Sequence, residues 1–183
     1  MRGMVTPIVI CTLAAAPVAM AVLRVPAKWF MVLGSVVFAC LVAGAIAIDG
    51  YGYGLTENLT ESLPGHIYVY RAGELLKKDD LIAFQWSGGA TYPAGTIFIK
   101  EVCGVAGDTV RRDGRKFWVG DRYIGVAKTK SLAGVPLEAA ASGVIPANQY
   151  FVCTPHPDSL DSRYALTGNI KPQRVIGRAY AIF

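Results

Sequence analysis

The first 48 residues contain two long runs of uncharged, mainly apolar residues, 4–23 and 29–48. Each run has about 20 residues, which as an α-helix spans the roughly 30 Å hydrocarbon core of a bilayer. We therefore predict that residues 1–48 form a membrane anchor, built either as a hairpin of two transmembrane helices or as one helix preceded by a cleaved or peripheral segment. The connection between the runs carries Arg24 and Lys28, and the positive-inside rule places it in the cytoplasm and the following domain on the opposite side.

From residue 60 onward the pattern changes to short runs of β-branched and aromatic residues, separated by Gly, Pro, Asn and Asp. Such runs are typical of antiparallel strands joined by tight turns. The segments predicted to contain strands are "HIYVYRAG", "DLIAFQWSGG", "TIFIKEVCGVAGDTV", "KFWVGDRYIGV", "GVIPANQYFVCTPHP" and "RVIGRAYAIF". A short helix over 133–142 is a weaker expectation. The sequence thus predicts a compact, mainly β domain over 60–183, joined to the anchor by a linker over 49–59.

Charge and composition narrow the function classes. The chain of 183 residues has a formal net charge of +5, but Arg2, Arg24 and Lys28 belong to the anchor, which leaves 15 basic and 13 acidic residues beyond it. This near balance gives no indication of nucleic-acid binding. The basic cluster "RRDGRK" (111–116) is interpreted as a solvated hairpin turn. No spacing of His and Cys suggests a metal site, and no cofactor is predicted.

The cysteines fall into two pairs. Cys11 and Cys40 lie in the apolar runs, whereas Cys103 and Cys153 lie in strand-like runs of the outer domain. In an oxidising compartment the second pair can form a disulfide, and two buried free thiols fit the pattern equally well.

Lys100 is the first candidate for chemistry, because it interrupts an apolar strand pattern. Alternation puts Phe98, Lys100 and Val102 on one face of the strand. A strand lysine usually reaches water with its amine, but burial between two apolar neighbours lowers a lysine pKa. A lysine that is neutral near pH 7 can serve as a general base for a nearby nucleophile.

Hydroxyl and charged residues in two further segments complete the candidate site. Ser62, before the Pro64-Gly65 turn, is a candidate nucleophile, and Thr60 offers a second hydroxyl for an oxyanion. The later segment "SLDSR" contains Ser159, Asp161, Ser162 and Arg163. Taken singly, each of these segments also fits an ordinary loop or turn.

Together and in this order behind an anchor, these segments resemble the bacterial type I signal peptidase family, whose members use a Ser/Lys pair. The family pattern has a membrane-proximal serine, a strand close to "KRVxGxPGD" and a later "SxDSR". Here the second reads "KEVCGVAGD" (100–108) and the third "SLDSR" (159–163), while "SLPG" departs from the first because Pro64 follows the serine by two positions instead of three. "SLPGHIYVY" is most similar to the TraF-like branch devoted to conjugative transfer.

The resemblance implies a signal-peptidase-like β domain and a role for each matching residue. Ser62 is expected to attack the scissile carbonyl, Lys100 to take its proton, and the Ser62 backbone N–H with Thr60 to form the oxyanion hole. Ser159 is expected to hydrogen-bond the Lys100 amine, Asp161 to take part in activity, and Ser162 and Arg163 to shape the site. The expected location is the bacterial inner membrane, with the catalytic domain on the periplasmic side, against the lipid bilayer.

Several substrates and one non-enzymatic role remain open at this point. The favoured substrate is a membrane-tethered precursor, such as a conjugative pilin, with cyclisation of the product as one outcome and conjugation or type IV secretion components as further partners. The alternatives are a general signal peptidase for secretory preproteins and a non-catalytic scaffold of a transfer apparatus. A self-cleaving regulator of the repressor type is disfavoured by the two apolar runs.

Overall fold

A computed structural model of the protein describes residues 26–58, 62–89 and 92–182. The chain divides into two compact units, Met1–Gly50 and Tyr51–Phe183. In the described part of the first unit, residues Ala27–Gly50 form the helix α1. The window Lys28–Ala45 of this helix is long and apolar enough to cross a membrane, judged by length and composition. It coincides with the predicted run 29–48, whereas the run 4–23 lies outside the described residues.

The second unit is mainly β and contains two antiparallel sheets. The first has six strands in the order β1-β2-β10-β3-β4-β9, and the second has four in the order β7-β6-β5-β8. The strands are β1 Tyr53–Glu57, β2 Ile67–Arg71, β3 Leu81–Gln85, β4 Ile97–Gly104, β5 Thr109–Asp113, β6 Lys116–Val119, β7 Arg122–Val126, β8 Gly143–Val144, β9 Phe151–Cys153 and β10 Val175–Ala181. Every segment predicted to contain a strand does so, and the mainly β prediction is confirmed.

Two segments differ from their sequence-based expectations. The linker over 49–59 contains β1, which pairs with β2 along its whole length from Tyr53 opposite Arg71 to Glu57 opposite Ile67. The short helix considered over 133–142 is not formed, and this segment is irregular. Carbonyl groups of this segment and of the residues before it are bound by arginine side chains from the β5–β6 hairpin, so a helix is not needed to satisfy them.

Those arginines also correct the interpretation of "RRDGRK" as a solvated turn. The turn at Asp113-Gly114 is present, but Arg115 donates to the carbonyls of Ala127 at 2.6 Å and Leu137 at 2.8 Å. Arg112 donates to the carbonyl of Ala140 at 2.9 Å. The two side chains therefore fasten the long segment after β7 to the four-stranded sheet.

The six-stranded sheet separates two hydrophobic clusters. The larger cluster includes Val102, with Phe98 packed against it, and the smaller includes Ile99. This confirms the predicted alternation along β4 and puts Lys100 on the side of the larger cluster. β9 pairs with β4 only from Glu101 to Gly104, so the first half of β4 has β3 as its only strand neighbour among the described residues.

Cys103 does not follow the alternation, and the reason is a bulge. The register between β4 and β9 shifts between Val102 and Gly104, and Cys103 belongs to the same cluster as Val102. Cys103 forms a disulfide with Cys153 of β9, with the Cα atoms 5.8 Å apart. Of the two states left open by the sequence, the structure therefore contains the disulfide.

Candidate active site

Ser62 lies in the connection between β1 and β2, close to a turn that is fixed by packing. Leu63 is buried in the smaller cluster with Tyr68 and Ile99. Gly65 has a φ of 93°, which glycine adopts without strain and which lets the chain reverse into β2. The buried Leu63 and the Pro64-Gly65 turn thus fix the backbone that follows Ser62.

The structure brings Ser62 and Lys100 together. Lys100 Nζ lies 2.8 Å from Ser62 Oγ. Lys100 is only 5% exposed and Ser62 is 7% exposed. A nucleophile and its base must lie within hydrogen-bond reach, and this pair does so although 38 positions separate the residues in the sequence.

Burial changes the protonation of the amine. Removal from water lowers the pKa of Lys100 from 10.5 to about 8, against a smaller opposing effect of the Asp161 carboxylate; the Arg163 guanidinium lowers the pKa further. The Phe98 ring centroid lies 5.6 Å from Nζ and is itself stacked on Trp86 at 4.8 Å. The Phe98 ring, supported by Trp86, therefore shields one side of the amine from water.

Asp161 and Arg163 form a buried pair beside the dyad. Asp161 Oδ1 accepts from Arg163 Nε at 2.8 Å and Oδ2 accepts from Nη2 at 2.8 Å, and the two residues are 0% and 2% exposed. The two bonds form the bidentate arrangement that suits guanidinium and carboxylate. Among the hydrogen bonds of the described residues, none joins Asp161 to Lys100. Asp161 thus acts on Lys100 through its charge.

Three other predicted residues have different placements. Ser159 is 3% exposed and its hydroxyl has no hydrogen-bond partner among the described residues, so the expected bond to Lys100 is not formed. Ser162 Oγ accepts from Val152 N at 2.9 Å and donates to the Gly168 carbonyl at 2.7 Å. Ser162 therefore stabilises the loop after β9. Thr60 lies outside the described residues.

An open cavity of about 370 Å³ runs along the dyad. Its apolar lining comes from the first half of β4 and from Tyr92, Leu132 and Leu160, and Ser159 also lines it. His156 and Asn58 line the cavity too, and sequence reasoning assigned neither to the site. The position of His156 only three residues before "SLDSR" is the signal that could have indicated it.

One group in the described part of the chain has metal-ligating atoms close together, namely Glu101, Cys103 and Cys153. The disulfide uses both sulfur atoms, and Arg122 Nη2 binds Glu101 at 2.7 Å. A cysteine binds a metal ion as a thiolate, so this group does not fit a metal ion while the disulfide is present.

The buried pair of Ser62 and Lys100 in an open cavity of a β domain has the geometry that a serine hydrolase with a lysine base requires. The sequence identifies the family: residues 8–183 match the model for "Signal peptidase, peptidase S26", and the chain belongs to that family. It is a serine endopeptidase with an apolar N-terminal helix suited to membrane anchoring.

One solved structure with a detectable similarity is a signal peptidase I from Enterococcus faecalis V583. The identity is 25%, the match covers 57% of this chain and 97% of that one, and the TM-score is 0.39. A comparison with curated proteins gives no match.

Proposed function

We propose that the chain is a membrane-bound Ser/Lys endopeptidase that removes the signal or propeptide of an exported precursor. The observation that carries this proposal is the 2.8 Å separation of Ser62 Oγ and Lys100 Nζ, with both residues buried. A serine hydroxyl needs a base to become a nucleophile, and a lysine whose pKa is lowered to about 8 is neutral in roughly one-tenth of the molecules at pH 7.

The chemistry proceeds in two halves. Neutral Lys100 takes the proton of Ser62 Oγ as that oxygen bonds to the scissile carbonyl carbon, and the ammonium formed then protonates the leaving amine as the C–N bond breaks. In the second half, Lys100 takes a proton from the water molecule that attacks the ester carbonyl carbon. The ammonium then returns a proton to Ser62 Oγ as the ester C–O bond breaks and the carboxylic acid product leaves. The Ser62 N–H and the Thr60 hydroxyl are proposed as the donors to the oxyanion.

The supporting residues have separate roles in this scheme. The Asp161–Arg163 pair fixes the loop that forms one wall of the cavity, and its net effect on Lys100 is the sum of two opposing charges. Ser159, with a buried hydroxyl beside the cavity, is available to the substrate or to the amine once a substrate excludes water.

We propose that the substrate is a dedicated membrane-tethered precursor such as a conjugative pilin. The "SLPG" variant and the compact outer domain support this over a general pool of secretory preproteins, which remains the second candidate because the family match fits it equally. Conjugation or type IV secretion components are the proposed partners. If an amine of the substrate replaces water in the second half, the product is cyclic.

The proposed location is the bacterial inner membrane, with the β domain on the periplasmic side. The disulfide between Cys103 and Cys153 supports an oxidising compartment. The positive residues Arg24 and Lys28 support a cytoplasmic position for the start of α1.

Cleavage assays in membranes test the activity and the substrate together. The full chain is incubated with a pilin-type precursor and, separately, with a general preprotein. We expect Ser62→Ala and Lys100→Met to reduce the rate by at least about 10³-fold, since each removes a member of the dyad. A cyclic product would be one water lighter than the linear fragment in a mass spectrum.

Each outcome separates the candidates. Faster cleavage of the pilin-type precursor supports the dedicated role, and equal or faster cleavage of the preprotein supports the general one. Full activity of Ser62→Ala would refute the peptidase mechanism, and loss of activity with an unfolded protein, judged by circular dichroism, would not count.

A further inference from the structure

The approach of Ser62 to Lys100 needs a structural explanation, because the two residues belong to parts of the sheet that are not neighbours. Ser62 lies between β1 and β2, whereas Lys100 lies on β4, and β10 and β3 separate β2 from β4 in the sheet. The connection must therefore carry the serine away from its own strands. A displacement of about 1 Å between reacting groups can lower a rate about 10²-fold, so the connection needs firm attachment points.

Asn58, which follows β1, provides three such attachments among the described residues. Its side-chain Nδ2 donates to the carbonyl of Leu63 at 2.9 Å and to the carbonyl of Gly65 at 3.1 Å. Its backbone N–H donates to the carbonyl of His66 at 2.8 Å. One residue thus joins the end of β1 to the start of β2 and bonds the chain on both sides of Pro64.

The other attachments are compatible with this role but do not duplicate it. The Tyr68 hydroxyl donates to the carbonyl of Pro64, and Leu63 fixes the connection by packing. Neither of them ties the serine side of the turn to β1. Asn58 bonds the carbonyl of Leu63, the residue next to Ser62, and is therefore a contact that helps set where the serine backbone lies.

We propose that Asn58 is a positioning residue, which holds Ser62 at hydrogen-bond distance from Lys100 by bonding the carbonyls of Leu63 and Gly65. An amide is required because Nδ2 has two hydrogens and the two carbonyls are both acceptors. A carboxylate at the same place has no hydrogen to give and repels both carbonyls, although its shape is nearly the same. The inference rests on the proposed Ser62/Lys100 mechanism.

The experiment measures how fast an acylating, serine-reactive probe labels Ser62 in the full chain, in membranes, as a function of pH. The variants are Asn58→Asp and the milder Asn58→Ser, which keeps one donor. The control Asn148→Asp makes the same change in an exposed turn residue whose φ of 59° suits aspartate.

We expect Asn58→Asp to lower the labelling rate 10- to 100-fold, Asn58→Ser to lower it less, and Asn148→Asp to leave it unchanged. We also expect the rise of the labelling rate with pH to move to higher pH in Asn58→Asp. When Ser62 leaves the amine, water reaches Lys100 and its pKa returns toward the ordinary value of 10.5.

The pH profile distinguishes positioning from a purely structural role, which would lower the melting temperature and leave the profile in place. Labelling of both Asn58 variants at the wild-type rate overturns this inference and leaves the proposed function intact. Absence of labelling in the wild-type protein overturns both. If Asn58→Asp does not fold, the labelling rate of Asn58→Ser and the pH dependence of that rate test the positioning role instead.

Discussion

In the proposed mechanism, the single buried side chain of Lys100 supplies the base. An ordinary lysine is protonated at neutral pH and cannot accept a proton. Burial beside Phe98 lowers the pKa of the amine to about 8, and the Ser62 hydroxyl lies 2.8 Å away to supply the proton. The same burial that makes the amine reactive opposes folding, because the charged form is stabilised by water.

Replacing this lysine should therefore stabilise the protein. Lowering the pKa from 10.5 to about 8 corresponds to about 3 kcal/mol, and loss of the bond to Ser62 offsets about 1 kcal/mol of it. We expect Lys100→Met to raise the free energy of unfolding at pH 7 by about 2 kcal/mol, measured by urea unfolding of the full chain in detergent.

The gain has a defined pH dependence. Below pH 8 lysine is protonated in both states and the cost of burial is complete, while between pH 8 and 10.5 only the unfolded chain holds the proton and the cost fades. The gain should thus shrink as the pH approaches 10.5. The control Lys116→Met changes an exposed lysine of β6 and should stay within about 0.5 kcal/mol. A destabilised Lys100→Met at pH 7 would contradict the account.

At the scale of elements, the pairing of β4 with β9 places Lys100 near the loop that contains Ser159 and Asp161. Lys100 lies on β4, and the loop with Ser159 and Asp161 follows β9. The disulfide between Cys103 and Cys153 joins the two strands next to the bulge. This cross-link closes a segment of 50 residues, which restricts the unfolded chain more than the folded one.

We expect the double variant Cys103→Ala, Cys153→Ala to lose about 2–4 kcal/mol of stability, because a cross-link of this length removes entropy from the unfolded state. The pH profile of labelling should stay in place, since the backbone of the sheet still pairs β4 with β9. Thermal unfolding with and without a reductant provides the measurement. A reductant that destabilises the variant as much as the wild type would contradict a role for this disulfide.

The sequence predicted the elements better than it predicted their contacts. Alternation located β4 and the face that Lys100 occupies, since side-chain direction depends on local geometry. It missed β1, a short strand with Gly54 in a Gly/Tyr-rich segment, which becomes a strand by pairing with β2. It also missed the binding of chain carbonyls by Arg112 and Arg115, because such bonds join segments far apart in sequence.

In the candidate site too, the sequence predicted which residues take part better than it predicted their contacts. The order of the motifs was enough to identify Ser62 and Lys100 as candidates. The distance of 2.8 Å between Ser62 Oγ and Lys100 Nζ is a consequence of the fold. Sequence reasoning could not foresee that the Ser159 hydroxyl has no hydrogen-bond partner among the described residues, because it can nominate a polar residue but not choose its partner. Asn58 was missed for a similar reason, because its acceptors are backbone carbonyls that carry no sequence signal.

On the scale of the whole molecule, the apolar helix and the β unit are consistent with the proposed peptidase, whose proposed substrate is also held in a membrane. α1 is apolar over the window Lys28–Ala45, and Ser62 and Lys100 both lie in the β unit. An anchor restricts enzyme and tethered precursor to the same surface, which raises their effective concentration.

The most direct test of this account is the pH dependence of Ser62 labelling by an acylating probe in the wild-type full chain. If buried Lys100 is the base, the rate should rise tenfold per pH unit below pH 8 and level off above it, with no labelling in Ser62→Ala. A rate that stays flat from pH 6 to pH 9, or a Ser62→Ala variant that is labelled like the wild type, would contradict the Ser62/Lys100 mechanism.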